Sequence, residues 1–157
     1  MSDNNIWSDE WGEQGEDWSG GGGLAKRLIR PEVDPRIGAT VYELRPGNFV
    51  IYHLHHAWIE LLFVLRGRLT LRTPEGERQL DEGESVYFAA GLDGAHGLRN
   101  DTDEPVRFLM VSTLSSPEVV EYPDLRQLTA QAKTRSTTGE RLFVIHDIEP
   151  EPPKEAA

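Results

Sequence analysis

The sequence predicts an all-β fold. From residue 24 onward, short apolar runs alternate with turn signals built from Pro, Gly, Asn and Asp. No segment sustains the 3.6-residue apolar period of an amphipathic helix. The run Trp58-Ile-Glu-Leu-Leu-Phe-Val-Leu65 is apolar at nearly every position, as a strand covered on both faces must be.

Taken in order, Leu24–Arg30 and Ala39–Leu44 form the first two runs, separated by Pro31, Pro35 and Gly38. Arg45-Pro-Gly-Asn48 is a turn, because proline presets one φ and glycine supplies another. Phe49–His55 and Trp58–Leu65 follow as strands. Arg66-Gly67-Arg68 leads into Leu69–Arg72, and Thr73-Pro-Glu-Gly76 has proline and glycine placed for a turn. Arg78–Leu80 and Ser85–Phe88 flank Asp81–Glu84, Gly94–Asn100 contains His96, and Val106–Leu114 closes the domain. A short helix is expected around Tyr122–Lys133, and Arg141–Ile145 reads as a late strand. The expected organisation is an acidic, Trp-containing arm over residues 1–23, a β-domain over 24–116 and a C-terminal extension over 117–157. Trp7, Trp11 and Trp18 sit in the arm ahead of a glycine run, and indoles bury large area for few residues. The arm is therefore expected to dock on the domain or on a neighbouring subunit.

The chemistry concentrates in Phe49–Leu65. Side chains alternate along a strand, so His53 and His55 share a face. A short turn returns Glu60 to that face on the next strand. Two imidazoles and a carboxylate converging on one point make a site for a divalent metal. His56 has the opposite parity and points away. Within Trp58–Leu65, the parity of Glu60 turns Trp58, Leu62 and Val64 inward. Ile59, Leu61, Phe63 and Leu65 then face outward and require a cover from a second subunit or the N-terminal arm, and a homodimer is expected.

The segment Gly47-x5-His53-x-His55-x4-Glu60-x6-Gly67 resembles the first signature of the cupin superfamily at every defined position. Gly83, Gly91, His96 and Asn100 resemble the second signature, with Ala89 in place of its proline and two additional residues before the histidine. The resemblance covers roughly residues 38–115 and implies an antiparallel jelly-roll β-barrel. It also implies His96 as a ligand beside His53, His55 and Glu60, with one divalent ion (Fe, Mn, Ni or Zn) per chain. It is similar to small single-domain bacterial cupins without an assigned reaction. The implied function is a metalloenzyme acting on a small polar organic molecule, by oxygenase-type chemistry first and isomerase or lyase chemistry next. The alternative is an accessory domain with a structural metal. Trp58, Leu62, Val64, Phe88, Leu98 and Met110 are candidate cavity walls, and Tyr52, Arg72 and Arg99 candidate polar contacts.

Composition removes other classes. The chain has no cysteine, which excludes disulfides and thiolate metal sites. Its net charge of −11 gathers in the tails, with Asp3, Asp9, Glu10, Glu13, Glu16 and Asp17 in the arm. No basic stripe neutralises phosphates, so nucleic acid is not an expected partner. No run has the length of a membrane span, no apolar leader opens the chain, and a cytoplasmic location is the expectation. No nucleophile elbow or phosphate-binding glycine loop is present.

Overall fold

A computed structural model of the protein describes residues 5–11, 13–15, 23–29 and 36–150. Among these, the strands in chain order are β1 Glu13–Gly15, β2 Gly23–Ile29, β3 Ile37–Leu44, β4 Phe49–His55, β5 Glu60–Arg66, β6 Leu69–Thr73 and β7 Gly76–Leu80. They continue with β8 Ser85–Phe88, β9 His96–Arg99, β10 Val106–Thr113, β11 Glu118–Tyr122, β12 Gln127–Arg135 and β13 Arg141–Asp147. Single turns of 3-10 helix at Leu92–Gly94 and Pro123–Leu125 interrupt the connections. No helix among the described residues is long and apolar enough to cross a membrane.

The strands form two antiparallel sheets, ordered β1-β2-β3-β10-β5-β8 and β13-β12-β11-β4-β9-β6-β7. They face each other as a jelly roll and are not joined into one continuous barrel. Turn chemistry explains the corners. Gly47 and Gly67 stand at φ of 81° and 84°, a region that L side chains rarely enter. Asn100 closes the β3–β4 corner from within, its side-chain amide donating to Leu44 O and Glu104 O.

The expected alternation of β5 is present: Glu60, Leu62 and Val64 are buried, while Leu61, Phe63 and Leu65 are half-buried on the outer face. The core comprises Leu44, Leu62, Val64, Leu71, Leu98, Phe108 and their neighbours. It fills the end of the sandwich reached by moving along β5 from Glu60 to Val64, along β9 from His96 to Leu98 and along β10 from Ser112 to Phe108. A register shift in β4 between Val50 and His53 lets both residues face inward although they are three apart.

One expected element is corrected. Residues 127–135 form strand β12, and no helix covers Tyr122–Lys133. The segment pairs with β11 on one side and β13 on the other, and those ladders satisfy its backbone where a helix would have needed an apolar stripe. The late strand at 141–145 exists, extended to Asp147.

The described part of the arm, Asn5–Trp11, lies on the outer face of β2, β3 and β10. Arg107, 1% exposed, donates to Ile6 O and to the carboxylates of Asp9 and Glu43. Lys26 donates to Asn5 O and Ser8 O, and both cations lie over the Trp11 ring. The contacts therefore run through backbone carbonyls, Asp9 and one indole. Trp7 is 57% exposed, and Trp18 lies outside the described residues.

Candidate metal centre

Four strands carry the site. His53 and His55 come from the end of β4, Glu60 from the start of β5, His96 from the start of β9 and Ser112 from the end of β10. Pairing enforces the convergence: His53 stands opposite His96 in the β4–β9 ladder, and Glu60 opposite Ser112 in the β5–β10 ladder.

His53, Glu60 and His96 each direct a ligand atom to one place, all three atoms within 4.8 Å of one another. His55 is not part of that mutual set, but its Nε2 is 3.4 Å from Glu60 Oε2. Each ligand is aimed by a neighbour. His53 Nδ1 lies 2.8 Å from Ile51 O, and His96 Nδ1 lies 2.8 Å from Gly94 O. A carbonyl only accepts, so both Nδ1 atoms carry the hydrogen and both Nε2 lone pairs face the cluster. Ser112 Oγ donates to Glu60 Oε1 at 2.7 Å, leaving Oε2 to the cluster.

Glu60 Oε2 and His96 Nε2 are fully buried, 3.3 Å apart, and neither makes a hydrogen bond. Two acceptors facing each other at that distance repel unless a positive charge lies between them. A proton or a metal ion would supply that charge. Desolvation, then the neighbouring His96 and His55, push His53 down to about 3. Burial alone would raise the Glu60 pKa, but its contact with His96 and the nearby histidines overcome that and hold it at about 2. An ionised carboxylate beside imidazoles is a donor set suited to a divalent cation.

A residue missed in the sequence completes this arrangement. Glu118, 1% exposed at the start of β11, places Oε1 3.3 Å from His55 Nδ1 and accepts from the His56 amide at 3.1 Å. No local pattern marks it, since it is brought in by the β4–β11 ladder.

The loop before His96 shows how the two additional residues are accommodated. They fall in the 3-10 turn Leu92–Gly94, and Gly91, at φ 86°, donates to His55 O at 2.7 Å. A side chain at Gly94 would meet Ala89 O at 1.7 Å, so only glycine fits there.

The cluster forms the floor of a cavity of about 370 Å³. Trp58, Leu98 and Met110 line it as expected, and Trp58 stacks on His55 with ring centres 5.1 Å apart. Leu62, Val64 and Phe88 belong to the core instead, with Phe88 stacked on His96 at 3.7 Å. Arg27 of β2 lines the cavity wall and was not anticipated. Tyr52, Arg72 and Arg99 line a separate cavity of about 210 Å³, where Arg72 pairs with Asp124 and Arg99 with Glu77 and Asp101. They do not serve the cluster. His56 points away from it, toward Glu121, and His146 is exposed on β13.

The model of the cupin domain family Cupin_2 matches residues 40–112. The chain carries a cupin domain. Two solved structures resemble it over most of their length. One is a sugar phosphate isomerase of the cupin superfamily from Silicibacter pomeroyi DSS-3, 27% identical, TM-score 0.67, covering 83% of this chain and 78% of that one. The other is a provisionally assigned sugar phosphate isomerase from Acidithiobacillus ferrooxidans ATCC 23270, 25% identical, TM-score 0.68, covering 81% and 77%. The polyketide cyclase RemF from Streptomyces resistomycificus, 24% identical with TM-score 0.54 over 61% and 68%, shares the fold alone. No curated protein matches the chain.

Proposed function

We propose that this cupin is a metalloenzyme that acts on a small, polar, anionic organic molecule, with isomerisation as its reaction class. The observation that carries the reading is the pair of unpartnered buried acceptors, Glu60 Oε2 and His96 Nε2, at the floor of an open cavity. Leaving such groups unsatisfied costs about 1–3 kcal/mol each. A bound cation removes that cost. His53, Glu60 and His96 would hold the ion, with His55 as fourth ligand. A bound divalent ion supplies Lewis acidity toward a substrate oxygen.

The chain's own residues would do the rest. Ser112 fixes the carboxylate, the Ile51 and Gly94 carbonyls fix two imidazoles, and Trp58 excludes water on one flank. Arg27 is the cationic side chain among the described cavity-lining residues, apart from the histidines, and it suits a phosphate or carboxylate group. Two of the solved structures at 25% identity or more carry sugar phosphate isomerase descriptions, which favours a phosphorylated sugar and isomerisation over the oxygenase chemistry expected first. The oxygenase reading retains support from the donor set: two histidines and one carboxylate are also the set used by iron oxygenases.

Metal analysis joined to a turnover screen tests the proposal. Purified protein should hold about one equivalent of divalent metal, and NMR should show interconversion within a panel of aldose and ketose phosphates without dioxygen uptake. Dioxygen consumption with any substrate of the panel would replace isomerisation by oxygenation. Bound metal without turnover of any kind would favour the accessory reading.

A further inference from the structure

Among the described residues each sheet ends in two edge strands, and three of the four are protected. β1 spans three residues and β8 four, too short to template another strand. β7 carries Glu77, Arg78 and Gln79 exposed along its length. β13 is different. Among the described residues it pairs with β12 alone, and all seven of its residues are exposed. Leu142, Phe143, Val144 and Ile145 stand 39%, 45%, 52% and 60% exposed, with no charged residue among them. A long apolar edge of this kind is a template for a further strand.

We propose that β13 pairs antiparallel with β13 of a second copy of this chain, joining two seven-stranded sheets into one across a two-fold axis. The sequence of the strand is self-complementary about Val144. Setting Val144 opposite Val144 of the second copy places Arg141 opposite Asp147, Leu142 opposite His146 and Phe143 opposite Ile145, each pair occurring twice. Parity is preserved in this register, so every residue that turns its amide outward meets one that does the same. Phe143 against Ile145 is an aromatic and β-branched cross-strand pair, and Arg141 against Asp147 an opposite-charge pair, both favourable in antiparallel ladders. Within its own chain Arg141 reaches the neutral amide of Gln131, and Asp147 accepts from the neutral amide of Gln127. The second copy supplies the opposite charge at both ends, as an isologous interface requires.

Light scattering on the full chain and three variants tests this. The wild type should be a dimer at micromolar concentration. Val144→Lys sets two like charges face to face at the axis and should yield a folded monomer, its circular dichroism unchanged. Asp147→Arg should weaken the dimer at least about tenfold by opposing Arg141 with arginine, and the double variant Arg141→Asp, Asp147→Arg should restore it. A wild-type monomer would overturn the proposal. So would a dimer indifferent to Val144→Lys, or one split by Phe63→Glu alone, which would place the interface on the outer face of β5. Failure of the double variant to rescue Asp147→Arg would overturn the register.

Discussion

His55 Nδ1 lies 3.3 Å from Glu118 Oε1, a buried carboxylate with no sequence neighbour in the site. Partners of this kind set the tautomer and the direction of an imidazole ligand, and their loss typically costs about 10–100-fold in metal affinity. Glu118→Gln should therefore weaken metal binding by about tenfold, measured by competition with a chromophoric chelator. The His56 amide keeps an acceptor in that variant, so the fold should hold. Affinity equal to wild type would show that Glu118 does not act on His55.

Removal of the ligands themselves should have a larger effect. His96→Ala and His55→Ala should lower the metal content of purified protein well below one equivalent. His56→Ala changes a side chain directed at Glu121 and should retain the metal. Metal retained in His55→Ala and lost in His96→Ala would reduce the ligand set to His53, Glu60 and His96.

Gly94 supports His96 from outside the cluster. Gly94→Ala drives a methyl group into the Ala89 carbonyl. The loop must move, and His96 Nδ1 loses its carbonyl partner. The expected outcome is a loss of about 1–3 kcal/mol in stability by denaturant unfolding, accompanied by weaker metal binding. Wild-type values on both measurements would show that the loop yields freely.

The metal-free protein should lose stability in acid through two groups of the cluster. His53 has its folded pKa, about 3, below its ordinary 6.5, so between these values the unfolded chain takes up a proton that the folded chain refuses. Stability then falls as pH drops from about 6.5 toward 3, with a slope approaching about 1.4 kcal/mol per pH unit. Glu60, at about 2 against its ordinary 4.5, contributes stability that is present above 4.5 and lost as pH falls toward 2. Urea unfolding of metal-free protein between pH 7.5 and 4.5 should follow the first of these, and His53→Gln should flatten it. An unchanged slope in His53→Gln would assign the acid sensitivity elsewhere.

The parts of this molecule visible in the sequence are those set by local periodicity. The inward row of β5 follows from strand alternation, and His53, His55 and Glu60 follow from strand parity and one short turn. His96 was read from its resemblance to a known motif, because nothing local distinguishes it from other strand histidines. Glu118 was invisible for a different reason: it reaches His55 through a pairing between strands more than sixty residues apart. A short helix is expected around Tyr122–Lys133, yet Leu128, Ala130 and Ala132 alternate with Thr129 and Gln131, the period of two that belongs to strand β12. The register shift in β4 leaves no mark on composition, and it brings Val50 into the cavity although strand parity with His53 would turn it outward.

On three strands a residue of the metal cluster and a residue of the apolar core are separated by a few positions of rigid ladder: Glu60 and Leu62, His96 and Leu98, Ser112 and Phe108. Such a strand is a lever with its fulcrum in the hydrogen bonds. A shift of a fraction of an ångström where Leu62 or Phe108 packs is delivered at the far end as a misaligned oxygen or nitrogen, where ligand geometry tolerates little. With the cluster holding an ion as proposed, its occupancy should register small repacking of the interior before unfolding measurements do.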